Sequence, residues 1–255
     1  MKKNCWYKIF NNKLFFYKKK SNVILYQKYK NYQKLSFSLC SIIYPKLTFK
    51  KFMNIIKFQS NVLKIKNNSS VLDFGSGNGA FLFYFLNKYK LNKNLSFEIS
   101  QPLISLQKKF INKTTFHKVH HSKDNFSKKY KKIKVDHSYC NSVFQYFVNE
   151  DYALKVIEFL MNITNNSILI YDIKNSDKKN LYTQTVRKRQ KLSLIEFKRK
   201  YKNTPIRFYK KTFFKKILNK LNKKYSFKYK FKNLPYGATD NKFGYCLIIY
   251  KADLI

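Results

Sequence analysis

VLDFGSGNGAFLFYFLN, residues 71–87, decides how the rest of the chain is read. It opens apolar at Val71 and Leu72 and carries one acid, Asp73. It then places Gly75, Gly77 and Gly79 within five residues and resumes with Phe81, Leu82, Tyr84, Phe85 and Leu86 at helical spacing. This is strand, tight turn and helix. The chain has only five glycines. Three in one turn therefore mark a place where the backbone bends sharply or lies close to something. A turn that opens a helix also aims amide groups at whatever binds there.

Two ligand classes use such a turn. Gly75-x-Gly77-x-x-Ala80 satisfies the dinucleotide fingerprint, with Glu98 following about 20 residues on. Asp73 separates the two classes. A dinucleotide sets its pyrophosphate on this turn, where a carboxylate repels it. S-adenosyl-L-methionine presents an ammonium and a sulfonium, which a carboxylate favours. The D-x-G-x-G-x-G run, with Glu98 in LSFEIS and the strand VDHSYCNSVFQYF from Val135, resembles the class I S-adenosylmethionine-dependent methyltransferases over residues 62–251. The resemblance implies an α/β fold: a Rossmann-like, mostly parallel seven-stranded sheet with helices on both faces, plus an N-terminal helical extension. It implies cofactor contacts from Asp73, Gly75, Ser76, Gly77 and Gly79. It sets Glu98 on the ribose hydroxyls, Ser122 or Asp124 near the adenine, and Asn141 beside the methionine part or the acceptor. It is silent on the methyl acceptor.

The net charge is +42, from 54 Lys+Arg against 12 Asp+Glu in 255 residues. Such an excess ordinarily points to nucleic acid or an anionic membrane. Yet there are only four arginines, Arg187, Arg189, Arg199 and Arg207, while Lys, Asn, Ile, Phe and Tyr are all abundant. Those abundant residues share A/T-rich codons, so coding bias explains the charge better than selection for phosphate, which favours arginine's planar fork. Acids are scarce enough to be informative, and Asp73, Glu98, Asp136 and Asp172 are expected near strand ends on the cofactor face. Cys5, Cys40, Cys140 and Cys246 form no C-x-x-C pair. A zinc site or disulfide framework is not expected, and a reducing, cytoplasmic setting is. No apolar run approaches the ~18 residues of a membrane span.

Residues 1–60 read as a basic tail and helical extension and residues 61–255 as the methyltransferase domain. Thr48 is the expected N-cap of a helix ending near residue 64. Strands are expected at 95–99, 114–119, 135–140, 167–173, 226–231 and 245–251, and helices after Ser100, over 151–161 and over 212–221. Residues 174–212 form a basic insertion holding all four arginines. They are expected to serve as an acceptor lid facing phosphate or carboxylate. Phe144, Tyr146 and Phe147 either wall the methyl-transfer pocket or pack under the next helix. Tyr236 and Asp240 lie in a loop expected at the rim.

Methyl transfer from a sulfonium requires alignment and a dry pocket more than a nucleophile of the protein's own. A base is needed only when the acceptor must lose a proton, and His120, His121, Asp172 and Asp240 are the candidates. His120 and His121 are adjacent, which is not chelating spacing, so no metal is expected. The acceptor is read as a small molecule. RNA is the alternative within the enzyme class, and a non-catalytic cofactor- or RNA-binding module is the alternative outside it.

Overall fold

All five residues of β1, Ser70–Phe74, are buried, which requires a strand covered on both faces and in mid-sheet. The computed structural model describes residues 49–77, 79–111, 114–118, 126–202, 206–235 and 241–251. In it β1 pairs in parallel with β2 (Lys93–Glu98) on one side and β4 (Val135–Asn141) on the other. β3 (Thr114–Lys118), β5 (Thr164–Lys174), β6 (Phe227–Asn233) and β7 (Gly244–Lys251) complete a seven-stranded sheet of order β3-β2-β1-β4-β5-β7-β6. β7 runs against both its neighbours, and the other described pairings are parallel.

Helices cover both faces. α1 (Phe49–Leu63) and α2 (Ala80–Lys88) pack on the face that carries Val71, Tyr139, Leu169 and Tyr171. α3 (Gln101–Phe110) joins them through its contact with Ser96. α4 (Phe126–Lys129) follows β3. α5 (Glu150–Ile163), joined later by α8 (Lys211–Leu221), packs on the face carrying Leu72, Phe74, Leu95 and Phe97. Strand order reverses between β1 and β4, so a crevice opens there at the carboxyl ends of the strands.

α1 buries Phe52, Ile55, Ile56, Gln59 and Leu63, a single stripe at helical spacing. Its last turn is tied to the sheet by Ser167 Oγ donating to Leu63 O (2.8 Å) and Tyr250 O–H donating to Val62 O (3.1 Å). The helix spans the expected segment, while its expected cap, Thr48, lies outside the described residues. β5 begins three residues before the apolar run, at Thr164. Asn165 and Asn166 fall at an irregularity in the pairing with β4, between the Thr164–Val135 and Ser167–His137 pairs.

The basic insertion folds as two helices, α6 (Lys179–Gln190) and α7 (Leu194–Tyr201). Ser193 and Glu196 form a reciprocal capping box that starts α7. Ser100 stands at the N-cap of α3, but its side chain makes no capping bond.

One expectation is corrected. Asp136 does not face the cofactor crevice. It sits at the start of β4 and accepts from Ser70 N (2.7 Å) and Ser70 Oγ (2.8 Å) at the start of β1. In parallel strands these starts share the rim opposite the glycine turn.

Candidate active site

The three glycines of the turn all have left-handed backbones, with φ of +78° at Gly75, +57° at Gly77 and +74° at Gly79. Their reasons differ. A Cβ on Gly75 would collide with Val143, and one on Gly79 with Ile111. A Cβ on Gly77 would meet nothing within 4 Å. The outer two glycines let elements pack closely, while the middle one faces open space where a ligand can lie against the main chain.

A buried network fixes the turn. Gln107 Nε2 donates to Ser76 Oγ (2.9 Å) and to Gly77 O (2.8 Å). Ser96 Oγ donates to Gln107 Oε1 (2.9 Å) and lies 2.7 Å from Ser76 Oγ. The Ser76 hydroxyl, expected at the cofactor, is therefore spent holding the loop. Sequence reading missed Gln107 and Ser96. The one available signal was a glutamine in the apolar series Ile104, Gln107, Ile111, which runs along α3 to its C-cap.

Glu98, at the end of β2, reaches back to the same turn. Its Oε2 accepts from Gly77 N (2.8 Å), and its Oε1 from Ile99 N (2.8 Å) and Ser100 N (2.9 Å). Burial pushes its pKa up to about 7, against the pull of those three amides. A carboxylate offers about four lone-pair directions, so Oε2 keeps one for a further donor.

Asp73 is also buried and accepts at Oδ2 from the Tyr139 hydroxyl (2.6 Å). Burial pushes its pKa up to about 8. The Tyr139 hydrogen bond works against that rise, and the charge of Glu98 adds to it. Tyr139, on β4, is a second residue that sequence reading did not single out.

At the end of β4, Asn141 Oδ1 accepts from Gln59 Nε2 of α1 (3.0 Å). The next residue, Ser142, has φ +56°, and Asp172 across on β5 has φ +59°. Ser142 Oγ donates to Asp172 Oδ2 (2.7 Å), and Lys174 Nζ donates to Oδ1 (2.9 Å) in a buried ion pair. Two non-glycine residues in this region cost on the order of 1–3 kcal/mol each, and such strain collects at functional rims.

Two of the four arginines make hydrogen bonds within the protein. Arg207 donates from its amide to Gln145 O (2.9 Å), from Nε to Phe147 O (2.7 Å), and from Nη2 to Val148 O. It latches the turn after β4, helped by Tyr209 O–H on Phe144 O (3.0 Å). Arg187 Nε turns back on Leu192 O (3.3 Å). A guanidinium satisfies loop carbonyls as readily as phosphates, and composition does not separate the two uses. Phe144 and Phe147 pack in the core, 4.7 Å apart between ring centroids, with Tyr152 and Tyr209 around them. His120, His121, Ser122, Asp124, Tyr236 and Asp240 lie outside the described residues.

No protein-family model matches the sequence, and no curated protein matches it. Solved structures do match. The plantazolicin methyltransferase BpumL, in complex with a monoazolic desmethylPZN analog and SAH, aligns over 86% of this chain and 89% of its own at 18% identity and TM-score 0.58. Magnesium protoporphyrin IX methyltransferase (ChlM) from Synechocystis PCC 6803, with bound SAM, aligns over 80% of this chain and 81% of its own at 13% identity and TM-score 0.52. The small RNA methyltransferase HEN1 aligns over 80% of this chain but 25% of its own, at 14% identity and TM-score 0.54.

The chain has the class I methyltransferase fold. Within that fold, Asp73, Gly77, Glu98 and Asn141 stand together at the carboxyl ends of β1, β2 and β4, where the strand order reverses. Among the described residues no helix is long and apolar enough to cross a membrane. No group of three His, Cys, Asp or Glu among them is placed to hold a metal ion.

Proposed function

We propose that the protein transfers a methyl group from S-adenosyl-L-methionine to a small-molecule acceptor. One observation carries the reading: a buried carboxyl, Asp73, ends the strand that runs into a turn whose middle glycine opens onto free space. The residues fit the donor. Gly77 leaves room against the backbone, Glu98 keeps a lone pair for a ribose hydroxyl, and Asp73 with Asn141 lies where the cationic end would come. A pyrophosphate would meet two buried carboxyls instead.

Bound S-adenosyl-L-methionine supplies a methyl carbon already activated by its sulfonium, and the electron pair of the breaking C–S bond goes to sulfur. The protein's part is alignment and exclusion of water. The Gln107 network holds the glycine turn rigid. Arg207 and Tyr209 hold the turn after β4, and the Asp172–Lys174 pair with Ser142 holds the ends of β4 and β5. Asp172 acts in this reading as a strut at the acceptor rim, with both oxygens engaged.

RNA as acceptor is the second reading. It is favoured by residues 179–202, where nine basic residues face the single acid Glu196. Thermal shifts with S-adenosylhomocysteine and NAD test the donor, and labelled methyl transfer into fractionated extract tests the activity. Stabilisation by NAD and not by S-adenosylhomocysteine would reverse the assignment. RNA binding that falls steeply with salt, together with label in RNA, would move the acceptor to the second reading.

A further inference from the structure

Polar groups at the crevice remain after the glycine turn and Glu98 are accounted for. Gln59 of α1 is fully buried. Its Nε2 is committed to Asn141, and its Oε1 is buried with no partner among the described residues. The hydroxyl of Tyr171 is buried and without a partner in the same way. An unpaired buried acceptor costs free energy that an apolar side chain would avoid. The other buried positions facing the core from this helix include Phe52, Ile55, Ile56 and Leu63. A glutamine among them is out of pattern for packing alone.

The sheet register brings these groups to one face. Asp73 is the register partner of Tyr139, and its side chain takes that tyrosine's hydroxyl. Asn141 lies two residues beyond Tyr139 and is therefore on the same face, and its register partner on β5 is Tyr171. Gln59 comes down on this face from α1. The face thus offers acceptors: the Asp73 carboxyl, Gln59 Oε1 and the Tyr171 oxygen. With Nε2 held by Asn141, the oxygen is the end of the Gln59 amide left for a ligand. A primary ammonium has three N–H donors and no acceptor, which complements such a face.

We propose that Gln59 Oε1 receives the ammonium at the amino-acid end of the methyl donor, so that α1 completes the donor site. Asn141 is then a positioning residue that fixes which end of the Gln59 amide faces inward. The inference rests on the donor reading above and deepens it: residues before 61 belong to the site.

Calorimetric titration of the full chain with S-adenosylhomocysteine and with 5′-methylthioadenosine, which lacks the amino-acid end, tests this. The wild type should prefer S-adenosylhomocysteine at least tenfold. Gln59→Met should weaken S-adenosylhomocysteine at least tenfold while leaving 5′-methylthioadenosine within twofold. Gln59→Glu, which keeps an acceptor, should hold S-adenosylhomocysteine within threefold of wild type. Unchanged S-adenosylhomocysteine affinity in Gln59→Met overturns the proposal, as does equal loss of both ligands in both variants. If Gln59→Met does not fold, Gln59→Glu decides, and loss of its preference for S-adenosylhomocysteine with 5′-methylthioadenosine still bound sinks the idea. A wild type that binds neither ligand removes the proposed function itself, whereas failure confined to the Gln59 variants leaves it standing.

Discussion

Affinity for the methyl donor should rise with pH, and Asp73 sets the slope. Its carboxyl is buried and pushed up to about 8, so it is protonated at pH 6 in the free protein. A cation settling beside it draws that proton off. Binding below the pKa therefore releases one proton and loses tenfold in affinity per pH unit. Between pH 9 and pH 6 the loss is about a hundredfold. Glu98, pushed up to about 7, adds at most about a further tenfold at pH 6. Unliganded stability moves the other way. Asp73's folded pKa lies above the ordinary aspartate value of about 3.9, so its neutral form stabilises the fold. That contribution is complete below about pH 4 and is lost as pH rises through about 8. Titration calorimetry with S-adenosyl-L-methionine at pH 6 to 9, in buffers of different ionisation heat, counts the protons directly. About 0.9 should leave from Asp73 at pH 7. Asp73→Asn should flatten the slope, weaken binding at pH 9 and remove the loss of unliganded stability between about pH 4 and pH 8. An affinity constant within threefold across this range, with no proton released, would refute the reasoning, as would an unaltered slope in Asp73→Asn.

Four further outcomes follow from the packing around the site. Gly79→Ala forces a Cβ into Ile111 at a left-handed φ and should cost about 2–4 kcal/mol in denaturant melts. Gly77→Ala bears only the backbone penalty of about 1–2 kcal/mol, yet should lose more donor affinity than Gly79→Ala loses under conditions where both variants are folded. Gln107→Leu leaves Ser76, Ser96 and Gly77 O without their buried partner and should cost about 2–4 kcal/mol; a melt within about 0.5 kcal/mol of wild type would dissolve the network's role. Arg207→Ala should raise amide exchange over residues 143–148 at least tenfold while S-adenosylhomocysteine affinity stays within threefold. Unchanged exchange there would mean the turn needs no latch.

The glycine turn was legible because its information is local: strand end, bend and helix start lie next to one another in the chain. Asp73 and Glu98 were legible for the same reason, each sitting where an apolar strand stops. Tyr139, Gln107 and Gln59 were not, because their partners lie 66, 31 and 82 residues away. A glutamine on an apolar helix stripe looks like a weakened stripe until the sheet supplies its partner. Asp136 misled for a geometric reason. An acid beside an apolar run marks a strand boundary, but only the parallel direction of β4 tells whether that boundary lies at the crevice or at the opposite rim. Arg207 misled because guanidinium donors suit loop carbonyls and anionic ligands alike.

The charge on the chain and the chemistry of the crevice are separate matters, and the two carboxyls show it. A net charge of +42 would depress carboxyl pKa values if its field reached them. Asp73 and Glu98 rise instead, with burial the largest cause for each. Among the described lysines only Lys174 is buried, and it is paired with Asp172. The others stand at or near solvent, where charges are screened beyond about 8 Å at physiological salt. Desolvation is local and unscreened, so it decides the protonation of the site. Lysines can therefore accumulate over the surface without setting the protonation of Asp73 and Glu98.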